Sequence, residues 1–117
     1  HPLRVRTPGL QLDVVASRSH GDPRTEGYLA GLPVGGRCNV GSSLKFALVA
    51  DGRADLYPRT GPTMEWDTAA GHAILLAAGG RMAAPDGSPF RYGKPGFRNG
   101  GFVASGPFDA PPIGPFM

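Results

Sequence analysis

Three short polar clusters contain the side chains best suited to bind a small ligand or a metal ion. The first is Ser17-Arg18-Ser19-His20, whose hydroxyl and imidazole groups can hydrogen-bond a nucleotide or a phosphate. The second is Gly41-Ser42-Ser43-Leu44-Lys45, and the third is Trp66-Asp67-Thr68-Ala69-Ala70-Gly71. Each cluster also has a purely structural interpretation: a polar surface loop, a capped helix, and an aspartate that stabilises its own helix.

The second cluster has the features of an anion site. Gly41 lets a ligand approach the backbone closely, and the free N–H groups at the start of the helix after the serine caps would point at it. Lys45 falls in the first turn of that helix, where the helix dipole disfavours a cation, and a bound anion would remove the conflict. The alternative is a capped helix with one solvated lysine. A Walker loop is excluded, because the G-x-x-x-x-G-K spacing is absent.

The third cluster and the arginine before it offer one metal ligand and one phosphate ligand. Asp67 lies at or just inside a predicted helix start, where the dipole favours the ionised carboxylate, a suitable ligand for a hard cation such as Mg²⁺. Arg59 can fork onto a phosphate, although a lone loop arginine is usually solvated. His72, one turn into the same helix, is predicted to be packed or partly exposed and not to be a ligand.

The elements that position these clusters alternate between strands and helices, which predicts the α/β class. Period-two alternation predicts a strand over residues 10–17, and apolar residues at helical spacing predict helices over 44–50 and 66–77. The other predicted elements are a short helix from Asp22-Pro23 to about Gly31 and strands at 37–40, 54–58 and 101–105. Two short strands around the Asp86-Gly87 turn would make the sheet mixed.

Length and composition limit the class of protein. The 117 residues correspond to one domain, and a hydrophobic content of 40% is sufficient for a core. No apolar stretch has the length of a membrane helix. The net charge of +3 is scattered, without a basic stripe interleaved with aromatic residues, so we expect no nucleic acid polymer as a partner. Cys38 stands alone, which excludes intramolecular disulfides; we expect a buried strand residue and a reducing, cytoplasmic setting.

Three segments are predicted along the chain. Residues 1–9 have no hydrophobic period and are expected to be a linker or a displaced connection. Residues 10–105 are expected to form the α/β domain, and residues 106–117 a proline-rich, loosely held tail. Because the chain begins with His1 and not with methionine, we also expect a longer parent protein.

In their order, four segments of the chain resemble the inositol-monophosphatase-like superfamily. They are Ser17-Arg18-Ser19-His20, GSSLKF at 41–46, ADLYPR at 54–59, and Trp66-Asp67-Thr68-Ala69-Ala70-Gly71. The W-D-x-A-A-G signature is typical of the superfamily, and the S-R-S-H and G-x-x-x-K elements resemble its 3′(2′),5′-bisphosphate nucleotidase branch, of the CysQ type. The resemblance covers about residues 12–105. It implies a layered α/β/α sandwich with a mixed sheet, the C-terminal half of the inositol monophosphatase and sugar phosphatase fold.

The resemblance also implies roles for individual residues. The implied substrate-binding residues are Ser17, His20, Gly41, Ser42, Lys45, Arg59 and Asp67. The first two would contact the nucleotide, the next four would form the pocket for the phosphate that is not cleaved, and Asp67 would also be a metal ligand. Inositol phosphatases place an acidic residue where Arg59 stands. A carboxylate suits sugar hydroxyls and an arginine suits a second phosphate, so the resemblance favours a bisphosphate substrate.

Two parts of the superfamily pattern are absent from the sequence. The upstream pair of glutamates and the D-P-x-D-G-[ST] loop supply most metal ligands and a water-activating threonine, and Asp22-Pro23-Arg24-Thr25 lacks the second aspartate and the glycine. The resemblance therefore implies the C-terminal portion of a Mg²⁺-dependent enzyme that hydrolyses 3′-phosphoadenosine 5′-phosphate to AMP and phosphate. We expect this portion to be inactive alone, because most Mg²⁺ ligands would come from the missing N-terminal half.

Two alternatives remain open from the sequence. One is a fragment of an inositol-1-monophosphatase or a sugar phosphatase, and the other is a non-catalytic binding or folding unit. The missing half would also have flanked the first strand, over residues 10–17. We therefore expect an exposed sheet edge at this strand and a homodimer formed through it.

Overall fold

The computed structural model describes residues 3–17, 23–40 and 42–117. Its α-helices are α1 (Pro23–Ala30), α2 (Ser42–Ala50) and α3 (Glu65–Ala77). Its strands are β1 (Leu12–Ser17), β2 (Val34–Val40), β3 (Leu56–Arg59), β4 (Thr63–Met64), β5 (Arg81–Ala83), β6 (Arg98–Asn99) and β7 (Phe102–Ser105). Short 3₁₀ helices lie at Pro95–Phe97 and Gly114–Phe116.

The main sheet has five strands in the order β2-β1-β3-β7-β5. β1 is parallel to β2 and to β3, whereas β7 is antiparallel to β3 and to β5. The sheet is mixed, as predicted, but it is mixed because β7 lies between β3 and β5 and is antiparallel to both, and not because of the predicted hairpin. The second strand of the predicted hairpin is reduced to a single bridge between Ala83 and Pro89. β4 and β6 form a separate two-stranded sheet.

The first strand is internal to the sheet. Val14 and Val15 face opposite sides and are 1% and 2% exposed, which is the pattern of a strand covered on both faces. Because β2 and β3 flank β1, the prediction of an exposed sheet edge at β1 is wrong. The predicted homodimer was based on that edge and so loses its structural basis. The outer strands of the described sheet are β2 and β5. Cys38, in β2, is exposed, so its predicted burial is also wrong.

Helices cover both faces of the sheet. On one face, α2 and α3 contribute Phe46, Val49 and Leu75 to a core that includes Val15. On the other face, α1 contributes Tyr28 and Leu29 to a second core. The predicted α/β/α layering is therefore confirmed, and it follows from strands whose side chains are apolar on both sides.

A glycine allows α2 and α3 to pack closely. A Cβ atom added at Gly71 would lie 2.5 Å from Cδ2 of Phe46, which is closer than two carbon atoms approach without displacement. Phe46 packs in turn against Tyr57 and Phe102, with ring centroids 5.2 Å and 5.6 Å away. The contact holds the two helices side by side over the same aromatic cluster.

Both terminal segments pack against the domain. In the tail, Ile113 is fully buried, and the Tyr28 hydroxyl donates a hydrogen bond to the Pro111 carbonyl over 2.7 Å. The expectation of a loosely held tail is therefore wrong. In the N-terminal segment, the N–H of Val5 donates to the carbonyl of Ala78 over 3.0 Å. The boundaries at residues 9 and 106 stay predictions. No helix in the described ranges is long and apolar enough to cross a membrane.

Candidate functional site

The carboxyl ends of three parallel strands meet at one edge of the sheet. β1, β2 and β3 all end there; α2 begins directly after β2, and α3 begins a few residues after β3. The connection from β1 leads to β2 on one side, whereas the connection from β3 leads towards β5 on the other. The crevice between β1 and β3 is therefore a topological switch point, where ligands of open α/β sheets commonly bind.

Lys45 lies in the first turn of α2 and is only 1% exposed. Its ammonium nitrogen is 5.2 Å from the centroid of the Tyr57 ring, within the range of a cation–π contact. The alternative of one solvated lysine on a capped helix is therefore wrong. Tyr57, in β3, belongs to the core on the face of the sheet that α2 covers.

Arg59, the last residue of β3, contacts the same tyrosine. Burial raises the pKa of the Tyr57 hydroxyl, and the charge of Arg59 and its hydrogen bond to Tyr57 oppose that rise. Arg59 also donates from Nη2 to the carbonyl oxygen of Pro62 over 3.3 Å. Its Nε is buried and finds no acceptor in the described part of the chain. Tyr57 thus contacts both Lys45 and Arg59, two cations that belong to separate sequence motifs. The sequence analysis did not predict a role for Tyr57.

Asp67 occupies the first turn of α3 and is exposed. One of its carboxylate oxygens, Oδ2, accepts a hydrogen bond from the N–H of Met64 over 3.0 Å, so the side chain partly serves its own helix. Within the described ranges, no group of three or more His, Cys, Asp or Glu residues could hold a metal ion. Mg²⁺ takes about six oxygen ligands, so the described side chains do not form a complete site, and Asp67 could supply one ligand of a larger set.

A loop that the sequence analysis did not associate with the site holds the start of α3. The carboxylate of Glu65 accepts hydrogen bonds from the N–H groups of Gly93 and Lys94, over 3.0 Å and 3.1 Å. The Lys94 ammonium lies 3.0 Å from the same carboxylate. Burial alone would raise the pKa of Glu65, but these hydrogen bonds and the Lys94 charge lower it. An acidic residue in the first turn of a helix was the available sequence signal.

Two further contacts fix the same helix from the side of this loop. The amide nitrogen of Asn99 donates to the hydroxyl oxygens of Thr63 and Thr68, over 2.9 Å and 3.1 Å. The Nδ1 atom of His72 is 2.8 Å from the Tyr92 hydroxyl, and burial lowers the pKa of this histidine. His72 is thus packed, as predicted, and it positions a helix that carries Asp67.

The other predicted residues fall at the same edge or outside the described ranges. Ser17 ends β1 and Ser42 begins α2. His20 and Gly41 lie outside the described residues. The structure therefore brings Lys45 and Arg59 together through Tyr57 and places Asp67 on the neighbouring helix, and the assignment of these residues to a ligand stays a prediction.

Comparison with known proteins finds relatives that match most of the length of this chain. A sequence model described as the inositol monophosphatase family matches residues 7–106. The 3′(2′),5′-bisphosphate nucleotidase CysQ of Escherichia coli (strain K12) is 50% identical over 93 residues, which are 79% of this chain and 38% of that protein. The corresponding protein of Buchnera aphidicola is 45% identical over 95 residues, 36% of its length. The chain thus spans less than half of these curated relatives.

Solved structures show the same architecture. CysQ from Bacteroides thetaiotaomicron, described as a bacterial member of the inositol monophosphatase family, superposes with a TM-score of 0.76 at 45% identity. The match covers 92% of this chain and 41% of that chain. An inositol monophosphatase from Thermotoga maritima gives a TM-score of 0.71 at 22% identity, which shows a shared fold alone.

Proposed function

The chain belongs to the inositol monophosphatase family, and on that premise we propose that it forms the phosphate-holding part of a 3′(2′),5′-bisphosphate nucleotidase. The reaction would convert 3′-phosphoadenosine 5′-phosphate to AMP and phosphate. In this proposal the 5′-phosphate, which is not cleaved, is held at the carboxyl ends of β1–β3 by Lys45 and Arg59. The name of the 50%-identical relative supports the substrate class.

The observation that carries the proposal is the buried Nε–H of Arg59, which has no acceptor in the described part of the chain. A buried donor on a charged group costs free energy when it stays unpaired, about 1–3 kcal/mol or more. A phosphate oxygen would satisfy it with a charge-assisted hydrogen bond. The ammonium of Lys45 lies against the same tyrosine as Arg59, so the two positive charges suit a dianionic phosphate.

This arrangement favours a bisphosphate over an inositol or sugar monophosphate. A monophosphate has a single phosphoryl group, which must lie at the reacting centre. Its remaining hydroxyls would then face Arg59 and Lys45, and neutral hydroxyls pair less strongly with cations than phosphate oxygens do. The second phosphate of the nucleotide removes this mismatch.

Asp67 would contribute one carboxylate oxygen to Mg²⁺ in the complete protein. When bound, the metal would supply positive charge that stabilises the phosphoryl group during its transfer. The remaining ligands would come from the part of the protein that corresponds to the unmatched length of its relatives, since the chain covers 38% of the E. coli protein. The chain's own contribution would be to hold Asp67 through the contacts of Glu65 and His72 with the 90–94 loop.

Calorimetric titration of the 117-residue chain with AMP and with adenosine tests the proposal. We expect AMP to bind more tightly, because adenosine lacks the phosphate. Arg59→Ala and Lys45→Ala should each weaken AMP binding about tenfold and leave adenosine binding unchanged. Arg91→Ala, which removes an exposed arginine elsewhere, is the matched control.

Two results would overturn the proposal. Equal affinities for AMP and adenosine would show that no phosphate is held, and an equal loss in the Arg91→Ala control would show that only net charge matters. Phosphate release from 3′-phosphoadenosine 5′-phosphate with Mg²⁺ is measured in parallel. Turnover by this chain alone would contradict the claim that the other metal ligands come from outside it.

A further inference from the structure

A second polar groove lies at the carboxyl edge, on the α1 face of the sheet. Its volume is about 390 Å³, and its lining includes Arg24, Thr60, Arg98 and Asn99. Thr60 follows Arg59 directly, but α1 packs on the face opposite α2 and α3. The groove therefore uses neither the Lys45 nor the Arg59 side chain.

Among the described residues, the charged side chains that line this groove are those of two arginines, with no Asp or Glu. Arg24 lies in the first turn of α1 and Arg98 in β6. None of the ion pairs between described residues includes Arg98. A cationic groove of this kind attracts anions.

The backbone around Arg98 is held in place before any ligand arrives. Arg98 pairs with Met64 in the β4–β6 sheet. The next residue, Asn99, is 1% exposed and donates its amide N–H groups towards Thr63 and Thr68. Across the groove, the Thr60 hydroxyl is hydrogen-bonded to that of Thr25 in α1 over 2.9 Å, which ties the α1 wall to the end of β3. Such support lets a guanidinium bind with little loss of entropy.

We propose that the groove between Arg24 and Arg98 is a second anion-binding site, which takes a tetrahedral oxyanion such as phosphate or a phosphate monoester. The planar guanidinium of Arg98 would bind two oxygens of the anion, and Arg24 would add a second positive charge. The lining also includes the neutral polar residues Thr60 and Asn99. The site does not depend on the proposed nucleotidase activity, because its lining includes neither Lys45 nor Arg59, the residues proposed to hold the uncleaved phosphate.

The test is a titration of the isotope-labelled 117-residue chain with inorganic phosphate and, separately, with methyl phosphate. Ionic strength is kept constant with chloride, and the side-chain N–H signal of Arg98 is followed by NMR. We expect saturable shifts of this signal. Tighter binding of the free ion would identify it as the ligand, and tighter binding of methyl phosphate would identify an esterified phosphate.

Variants separate this site from general charge effects. Arg98→Gln and Arg24→Gln should each weaken binding about tenfold, whereas Arg98→Lys, which keeps the charge and loses the fork, should cause a smaller loss. Arg91→Gln removes an equal charge outside the groove and should bind as the unaltered chain does. Lys45→Met should leave the Arg98 shifts unchanged. Absence of saturable binding, or an equal loss in Arg91→Gln, would overturn the proposal.

Discussion

At the amino ends of the central strands, the carboxylate of Asp55 is 1% exposed and is paired with other groups of the chain. At the carboxyl ends, the buried Nε–H of Arg59 has no acceptor among the described residues. Asp55 accepts hydrogen bonds from Nε and Nη2 of Arg6, both over 2.9 Å, and from the N–H of Asp13 over 2.8 Å. In the part of the chain that the structure describes, the buried charge at the amino ends is fully paired and a donor at the carboxyl ends is not.

The contrast separates structural charge from ligand-binding charge. A buried charge whose partners all belong to the chain stabilises one arrangement, here the contact of residues 3–9 with the start of β3. A buried donor without a partner costs stability, and such a cost is expected where a ligand supplies the partner. We therefore expect substitution of Asp55 to weaken folding, and substitution of Arg59 to weaken ligand binding with little effect on folding.

Asp55→Ala should have the largest effect on folding. It leaves the Asp13 N–H and the Arg6 guanidinium without their buried acceptor. Because the Arg6 side chain is 39% exposed and can reach water, the loss should be about 1–3 kcal/mol. Urea unfolding of the variant measures the loss. Asp13→Ala is the control, because the Asp13 side chain is 53% exposed and its ion pair with Arg6 should contribute less than about 1 kcal/mol. Equal losses in the two variants would contradict the account.

The same carboxylate should make folding depend on pH. Burial alone would raise the pKa of Asp55, but the Arg6 hydrogen bond, the Asp13 N–H and the Arg6 charge lower it below its ordinary value. The pKa of Asp55 is lower in the folded chain than in the unfolded chain, so the stabilisation that its carboxylate provides is complete above about pH 4. This stabilisation is lost as the pH falls through the pKa of the folded state. Unfolding curves between pH 2 and 6 should show this loss in the unaltered chain and a shallower dependence in Asp55→Asn. Identical slopes would contradict the pairing.

Arg59→Met should have the smallest effect on folding. The substitution removes a buried Nε–H that has no acceptor among the described residues, but it also removes the hydrogen bonds of Arg59 to Tyr57 and to the Pro62 carbonyl. Because these effects oppose each other and the side-chain volume stays similar, the free energy of unfolding should change by less than about 1 kcal/mol. Chemical denaturation without ligand measures it. A loss above about 2 kcal/mol would show that Arg59 is a structural residue like Arg6.

Local patterns in the sequence were sufficient to predict the helices at the site. The predicted helix over 66–77 matches α3 in extent. The apolar residues whose spacing predicted it lie on its exposed face, with Trp66 and Ile74 67% and 44% exposed, whereas the buried face carries Thr68, His72 and Leu75. The predicted strand over 54–58 is displaced to Leu56–Arg59, since Asp55 is taken up by the Arg6 pair and Arg59 joins the ladder with Phe102. The local hydrophobic period identifies a helix or a strand, and contacts with residues distant in the sequence determine where it begins and ends.

Long-range contacts were the part that the sequence did not reveal. The internal position of β1 depends on pairing with β3, about 40 residues later in the chain, and the packing of Ile113 depends on α1. The clamp of Glu65 by Gly93 and Lys94 joins residues 28 and 29 positions apart. Tyr57 was missed for the same reason, because only the folded sheet shows that Lys45 and Arg59 approach one ring.

The most direct test of the central claim is a single NMR titration with AMP that follows the Nε–H signals of Arg59 and Arg6 together. If the carboxyl edge holds the uncleaved phosphate, the Arg59 signal should move downfield and saturate with AMP, because its Nε–H gains an acceptor. The Arg6 signal should stay in place, since its Nε–H is already bonded to Asp55 over 2.9 Å. An Arg59 signal that does not move while AMP saturates the chain would contradict the account.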